Sequence, residues 1–149
     1  MMEKGKILAI DYGQKSIGLA VSDVGRTMAF GRGVIRNIPG EVGRQQVLLK
    51  LINLCKEDEV NLILLGMPWG ENQQKTVQTE RIEGFAISLR EALQNAELFV
   101  AVEYIDESFS SYEANKILAK IGVPGTERKK TEDEMAAIVL IHRFIDFKP

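Results

Sequence analysis

The amino-acid sequence predicts an α/β protein in which a mixed five-stranded sheet carries helices on both faces. Two apolar segments, residues 7–10 and 17–21, flank a short turn that contains glycine, a pattern typical of an antiparallel hairpin. The later run VNLILL, residues 60–65, is apolar throughout, as expected for a strand buried on both faces. Segments of helical periodicity alternate with strands in the second half, which favours parallel crossovers.

The predicted elements follow the order β-β-β-α-β-α-β-α-α. A third strand at residues 28–36 contains two glycines, which are typical of a sheet edge or a bulge. In the predicted helix at residues 41–59, Val47, Leu51 and Leu54 recur at helical spacing. The remaining predicted elements are a helix at residues 74–93, a strand at 98–105, a helix that begins with the capping pair Ser110 and Glu113, and a final helix that begins with the capping pair Thr131 and Glu134.

Length and composition limit the class of protein. The chain has 149 residues, of which 45% are apolar and 27% charged, so we expect one domain, residues 1–149, with a sizeable core. The N-terminus runs directly into the first strand, no apolar run reaches the ~20 residues of a membrane span, and Cys55 is the single cysteine. We therefore expect a cytoplasmic protein with no membrane partner. The net charge of −2 excludes a globally basic nucleic-acid binder.

Acidic residues stand at the ends of three predicted elements. Asp11 ends the first strand, Asp106 and Glu107 end the last strand, and Asp133 lies in the first turn of the last helix. In this topology the three ends meet at one edge of the sheet. Clustered carboxylates repel each other unless a cation neutralises them, and Mg²⁺ or Mn²⁺ prefers oxygen ligands. One or two such ions would support phosphodiester hydrolysis.

Sequence spacing alone does not decide whether these acids meet. Asp11 stands in an Asp-x-Gly turn, where it could simply cap the turn. Acids at the ends of strands and helices are also common on ordinary surfaces. Trp69, the only tryptophan, lies in the loop after the VNLILL strand and could stack on a base or simply pack.

Four motifs in a fixed order make the chain similar to the YqgF/RuvX family. The motifs are AIDYGQKSIGLAVSD at residues 9–23, LLGMP at 64–68, YIDESFSSYEA at 104–114 and DEMAAIVLI at 133–141. The family is described as pre-16S ribosomal RNA nucleases and as Holliday junction resolvase-like proteins with a ribonuclease H-like fold. The resemblance therefore implies a nuclease that depends on Mg²⁺ or Mn²⁺ and acts on nucleic acid, either pre-ribosomal RNA or branched DNA.

Carried over by position, the resemblance implies that Asp11, Glu107 and Asp133 are the catalytic and metal-binding residues. Asp106 is the alternative to Glu107, because neighbouring strand residues point to opposite faces and only one should face the metal. The candidate phosphate contacts are Lys15, Lys129 and Lys130.

The chain departs from the family pattern at two positions. The family usually has arginine where this chain has Ser16 and Ser108. Two guanidinium groups that could grip a phosphate are therefore missing, which bears on substrate binding more than on the metal acids.

Two other functions are compatible with the residues. An Asp-x-Gly turn between strands is also similar to the phosphate loop of actin-like and sugar kinases, but that architecture needs a second such domain, and the chain has no P-loop motif. A non-catalytic nucleic-acid-binding module is the third interpretation, motivated by the missing arginines. The sequence carries no signature of an oligomer face, and a homodimer is compatible with it.

Overall fold

The computed structural model describes residues 5–69, 74–108, 119 and 132–146. The strands and helices in these ranges are β1 Lys6–Tyr12, β2 Ser16–Ser22, β3 Ala29–Arg36, α1 Gly40–Glu57, β4 Val60–Met67, α2 Val77–Asn95, β5 Ala101–Asp106 and α3 Glu132–Asp146. The predicted order is confirmed for these elements. The helix predicted to begin at Ser110 lies outside the described residues.

The strands form one five-stranded mixed sheet in the order β3-β2-β1-β4-β5. The first three strands pair antiparallel in sequence order, and β4 and β5 join them in parallel beside β1. Because β1, β4 and β5 run parallel to one another, their carboxyl ends lie side by side at the same end of the sheet. The prediction that β3 is an edge strand is confirmed.

Helices cover both faces of the sheet, as predicted. On one face, Leu8 and Ile10 of β1 share a buried core with Leu51 of α1 and Phe85 of α2. Cys55 of α1 belongs to this core, at 2% exposure, and burial raises the pKa of its thiol to about 12. The thiol is therefore a small core group and not a nucleophile.

The other face of the sheet is covered by α3. Ile7 and Ala9 of β1 pack there with Ala137 and Ile141. Successive residues of a strand point to opposite faces, so the apolar run of β1 supplies both cores. Its next residue on the α3 face is Asp11.

Two elements begin three residues later than predicted. Helix α2 begins at Val77 and not at residue 74, because Thr76 and Thr79 exchange side-chain and backbone hydrogen bonds in a capping box. Strand β5 begins at Ala101 and not at residue 98, because its pairing with β4 starts where Ala101 faces Leu62.

None of the described helices combines the length and the apolar character needed to cross a bilayer.

Candidate active site

Asp11 lies near the carboxyl end of β1, on the face that α3 covers. Its partner across the β1–β2 pair is Gly18, and its own carboxyl group is largely withdrawn from water. A β-carbon on Gly18 would overlap the backbone carbonyl of Asp133 and lie 2.9 Å from the Asp133 Cβ. Glycine at this position therefore lets the first turn of α3 lie directly over the strand that pairs with Asp11.

Glu107 follows the last residue of β5 and contacts Asp11. Its backbone N–H donates to the carbonyl of Met67 at 2.9 Å, which continues the β4–β5 pairing by one residue. The side chain then returns across the end of β4, where a β-carbon on Gly66 would lie 3.1 Å from Glu107 Oε2. There its carboxyl group is hydrogen-bonded to that of Asp11.

Asp106, the alternative to Glu107, is engaged elsewhere. Its Oδ1 accepts a hydrogen bond from the backbone N–H of Ser108 at 2.9 Å. Ile105 packs on the α3 face and Tyr104 on the opposite face, so alternation directs Glu107 to the α3 face and Asp106 away from it. The structure therefore brings Glu107, and not Asp106, to Asp11.

Asp133 lies in the first turn of α3 and is held by a serine of β2. Ser16 Oγ donates to Asp133 Oδ2 at 2.6 Å, a contact between residues 117 positions apart. The serine that replaces the arginine expected from the family pattern thus orients one of the candidate acids. The small residues Ser16, Gly18 and Ala20, at alternate positions of β2, are the sequence signal for this close approach.

Glu134 anchors the same turn of α3 to the edge strand. Its Oε2 accepts a hydrogen bond from the backbone N–H of Gly33 at 2.7 Å, and a β-carbon on Gly31 would lie 2.6 Å from that oxygen. The glycines of β3 therefore make room for a helix contact. The sequence predicted that Glu134 pairs with Thr131 at the start of the helix, and Thr131 lies outside the described residues. The contact between Glu134 and Gly33 was not predicted.

Burial makes this pair of carboxyl groups hold a proton. Burial, the hydrogen bond with Asp11 and the nearby negative charge of Asp11 together raise the pKa of Glu107 to about 8. The pKa of Asp11 is also raised, chiefly by burial and further by the charge of Asp133, although the hydrogen bond from Glu107 opposes the shift. One proton between the two carboxyl groups is therefore favoured over two negative charges, and a cation could take the place of that proton.

The chain matches the family model described as "RuvX: Holliday junction resolvase" over residues 5–147. This chain belongs to the RuvX family. A protein of Clostridioides difficile (strain 630) named "Putative pre-16S rRNA nuclease" is 33% identical over 147 residues, covering 99% of this chain and 98% of the relative. A protein of the same name from Bacteroides fragilis (strain YCH46) is 30% identical over 145 residues, covering 96% and 97%.

Solved structures show the same fold at low sequence identity. The structure titled "Thermus thermophilus RuvC structure" superposes with a TM-score of 0.60 at 16% identity and covers 95% of each chain. The fowlpox virus resolvase, solved with "substrate Holliday junction DNA", gives a TM-score of 0.62 at 12% identity and covers 95% of this chain and 97% of its own. The RuvX chain therefore has the ribonuclease H-like fold.

Nucleases of this fold class generally depend on divalent metal ions. Asp11 and Glu107 offer carboxylate oxygens of the kind that hard cations prefer, in a buried place where two negative charges need neutralisation. Within the described ranges no three acidic, histidine or cysteine side chains form a ready metal-binding group. The donor chemistry fits, because two carboxyl groups lie together, and the charge of Asp133, which Ser16 orients, acts on Asp11.

Of the three predicted phosphate contacts, Lys15 belongs to the described residues. Lys15 lies exposed on the turn between β1 and β2, next to Ser16, and its backbone carbonyl accepts from Asn37 N–H at 2.9 Å. Lys129 and Lys130 lie outside the described residues. Trp69 packs against the core of the α1–α2 face, with its ring edge-on to Tyr104 at 6.1 Å between centroids.

Proposed function

We propose that this protein is a metal-dependent endonuclease that hydrolyses phosphodiester bonds in structured nucleic acid, with 5′-end maturation of pre-16S ribosomal RNA as its activity. The family model and the curated relatives carry nuclease names, so the chain is a nuclease of the RuvX family, a hydrolase of phosphodiester bonds. The choice of ribosomal RNA comes from the names of the relatives. Those relatives are bacterial proteins, and the cytoplasm is the compartment where we propose that it acts.

One observation carries the proposal: the buried hydrogen bond between the carboxyl groups of Asp11 and Glu107. Two acids are brought together at the exposed edge of the sheet from strands that are far apart in sequence. Two ionised carboxylates in this place are unfavourable for folding unless a proton or a cation neutralises them, because burial and mutual repulsion both oppose ionisation. A pair of this kind at a sheet edge is expected at a functional site.

In the proposed site, Asp11 and Glu107 hold Mg²⁺ or Mn²⁺, and Asp133 contributes the third carboxylate. The ion, when bound, would stabilise the negative charge that develops on the phosphoryl oxygens. Asp11 and Glu107 give up the proton they share in order to bind it. Ser16 keeps the Asp133 carboxylate in one orientation, and Lys15 on the neighbouring turn attracts the phosphate backbone.

The experiment is cleavage of a labelled pre-16S RNA fragment and a four-way DNA junction side by side, with Mg²⁺ or Mn²⁺ and with EDTA. We expect wild-type protein to cut the RNA only when metal is present. Asp11→Asn and Glu107→Gln should lower the rate at least about a hundredfold, since each removes a charged ligand. Asp106→Asn is the matched control, because that acid is engaged with Ser108, and it should keep most of the activity.

Each alternative has its own outcome in this experiment. The family description names Holliday junction resolvase, and metal-dependent cutting of the junction but not of the RNA would support that activity. Binding of either substrate without any cutting would favour the non-catalytic module. Loss of activity in Asp106→Asn with activity kept in Glu107→Gln would contradict the assignment of Glu107.

A further inference from the structure

A cavity of ≈ 340 Å³ opens on the side of the sheet opposite α3 and is not used by the acidic site. It lies between the N-terminal part of α1 and the side chains of Arg81 and Phe85 on α2, beside the carboxyl end of β1. Tyr12, the residue next to Asp11, lines it, so the cavity and the acids share one sheet edge on opposite faces of β1. The volume is at the lower end of the range for small-molecule sites and is suited to a single nucleotide.

Of the described residues that line this cavity, two are arginines and none is acidic. Arg44 lies one turn into α1, and Arg81 lies one turn into α2. Within the described part of the chain, neither guanidinium has a carboxylate partner, and the polar contact of Arg44 is a hydrogen bond to Ser88 Oγ at 3.3 Å. Two guanidinium groups that line one cavity, without an acid among its described lining residues, suit an anionic ligand.

The backbone around the cavity adds to its positive potential. The N-terminal turn of α1 adjoins it through Gly40, and the positive end of a helix dipole favours anions. Pro39 stands at the N-cap of α1 and provides no side-chain cap, so the first N–H groups of that helix have no side-chain acceptor from the cap.

The floor of the cavity is aromatic and firmly held. The rings of Tyr12 and Phe85 stack with 4.4 Å between centroids at an interplanar angle of 32°. Gln78 Nε2 donates to the Tyr12 carbonyl at 3.1 Å, and Asn37 Nδ2 donates to the Gly13 carbonyl at 2.7 Å. A fixed aromatic surface beside two guanidinium groups is suited to a base together with its phosphate.

We propose that this cavity, the Arg44–Arg81 cavity, binds one nucleotide of the substrate strand, with its phosphate on the two arginines and its base against Tyr12. The inference rests on the proposed nuclease function, because the strand that crosses the sheet edge from Asp11 would place a flanking nucleotide here. It assigns to Arg44 and Arg81 the phosphate grip that Ser16 and Ser108 do not provide. A free mononucleotide has the same chemistry and is the other source to be distinguished.

The first test is binding of adenosine 5′-monophosphate to metal-free protein in EDTA, followed by amide chemical shifts in an NMR titration. We expect saturable shifts around Tyr12 and Arg44, and no comparable shifts with adenosine, which lacks the phosphate. Arg81→Gln and Arg44→Gln should each weaken binding about 10- to 100-fold, as expected for loss of a charge-assisted hydrogen bond. Thermal unfolding of each variant checks that it remains folded.

Lys56→Gln is the matched control for the change in charge. Lys56 is exposed and lies twelve residues further along α1, about 18 Å from Arg44 along the helix axis. It should leave the affinity within about twofold of wild type. Absence of shifts up to about 10 mM nucleotide, or equal weakening by Arg81→Gln and Lys56→Gln, would overturn the proposal.

The second test separates the two sources of the nucleotide. In the cleavage assay at fixed salt, Arg81→Gln should raise KM about tenfold with little change in kcat if the cavity holds a nucleotide of the substrate strand. An unchanged KM with intact nucleotide binding by wild type would assign the cavity to a free mononucleotide and overturn the substrate-strand assignment. If wild-type protein cuts neither substrate, the proposed function fails, while the titration in EDTA still decides whether the cavity binds a nucleotide.

Discussion

Replacing Glu107 by glutamine should make the metal-free protein more stable at alkaline pH. The folded protein raises the pKa of Glu107 to about 8, mainly through burial, whereas the ordinary value is 4.5. An acid with a raised pKa holds its proton more tightly in the folded state than in the unfolded state. Stability is therefore complete below about pH 4.5 and is lost progressively as the pH rises toward about 8.

The size of this loss follows from the shift and from the position of the group. The two pKa values differ by about 3.5, and at about 1.4 kcal/mol for each pH unit, ionisation would cost up to about 5 kcal/mol. Glu107 is only partly buried, and water screens its charge. We therefore expect the free energy of unfolding to fall by about 2–3 kcal/mol between pH 5 and pH 9.

Urea unfolding in EDTA at several pH values measures this directly. Wild type should lose about 2–3 kcal/mol over the range, whereas Glu107→Gln, which mimics the protonated acid, should lose less than about 1 kcal/mol. Glu103→Gln is the matched control, because Glu103 lies exposed on β5, the strand that Glu107 follows, and it should behave like wild type. If the free energy of unfolding depends on pH equally in all three proteins, the argument that ionisation of Glu107 destabilises the fold is refuted.

The same experiment with Mg²⁺ connects stability to the proposed site. A cation that replaces the shared proton should restore stability to wild type at pH 9, by about 2.7 kcal/mol at a hundred times its dissociation constant. The Glu107→Gln variant should gain much less stability from Mg²⁺. Equal stabilisation of both proteins by Mg²⁺ would mean that the ion binds elsewhere.

Gly18→Ala and Ser16→Ala test how the site is held, and Asp23→Asn tests the turn that follows β2. Gly18→Ala should destabilise the protein by about 2–4 kcal/mol in urea unfolding, because its β-carbon overlaps Asp133, whereas Gly84→Ala in open space within α2 should stabilise by about 0.5–1 kcal/mol. Ser16→Ala should lower kcat about tenfold with little change in KM, since it frees the Asp133 carboxylate; an unchanged kcat would contradict the orienting role. Hydrogen bonds, first of all from Thr27 Oγ1, lower the pKa of Asp23 to about 2. The stabilising effect of the Asp23 carboxylate should therefore vanish on acidification from about pH 4 to about pH 2. In thermal unfolding, Asp23→Asn should remove that part of the acid sensitivity.

Much of the fold follows from local patterns. The hairpin, the doubly buried β4 and the helical periodicity of α1 are properties of short segments, and each was predicted within a few residues. Strand alternation also decides which of two neighbouring acids faces Asp11, because side-chain direction has a period of two. The boundaries of α2 and β5 were less accurate, since they depend on the Thr76 capping box and on pairing with β4.

Contacts between distant segments were not predictable. Ser16 and Asp133 are separated by 117 positions and Gly33 and Glu134 by 101, and both contacts depend on where α3 crosses the sheet. From the sequence, Ser16 was notable only because the family usually has arginine at that position. In the structure the serine holds a carboxylate, a role that becomes visible only once the helix lies over β2.

The sequence by itself determined the order of the elements, the two apolar faces of the sheet and the acids at the strand ends, because these depend on the spacing of residues along the chain. Tertiary structure alone decided that Ser16 holds Asp133 and that two arginines line one cavity. Both arrangements bring together groups from separate elements, and their energies arise from burial and charge in a space that forms only when the sheet and its helices pack.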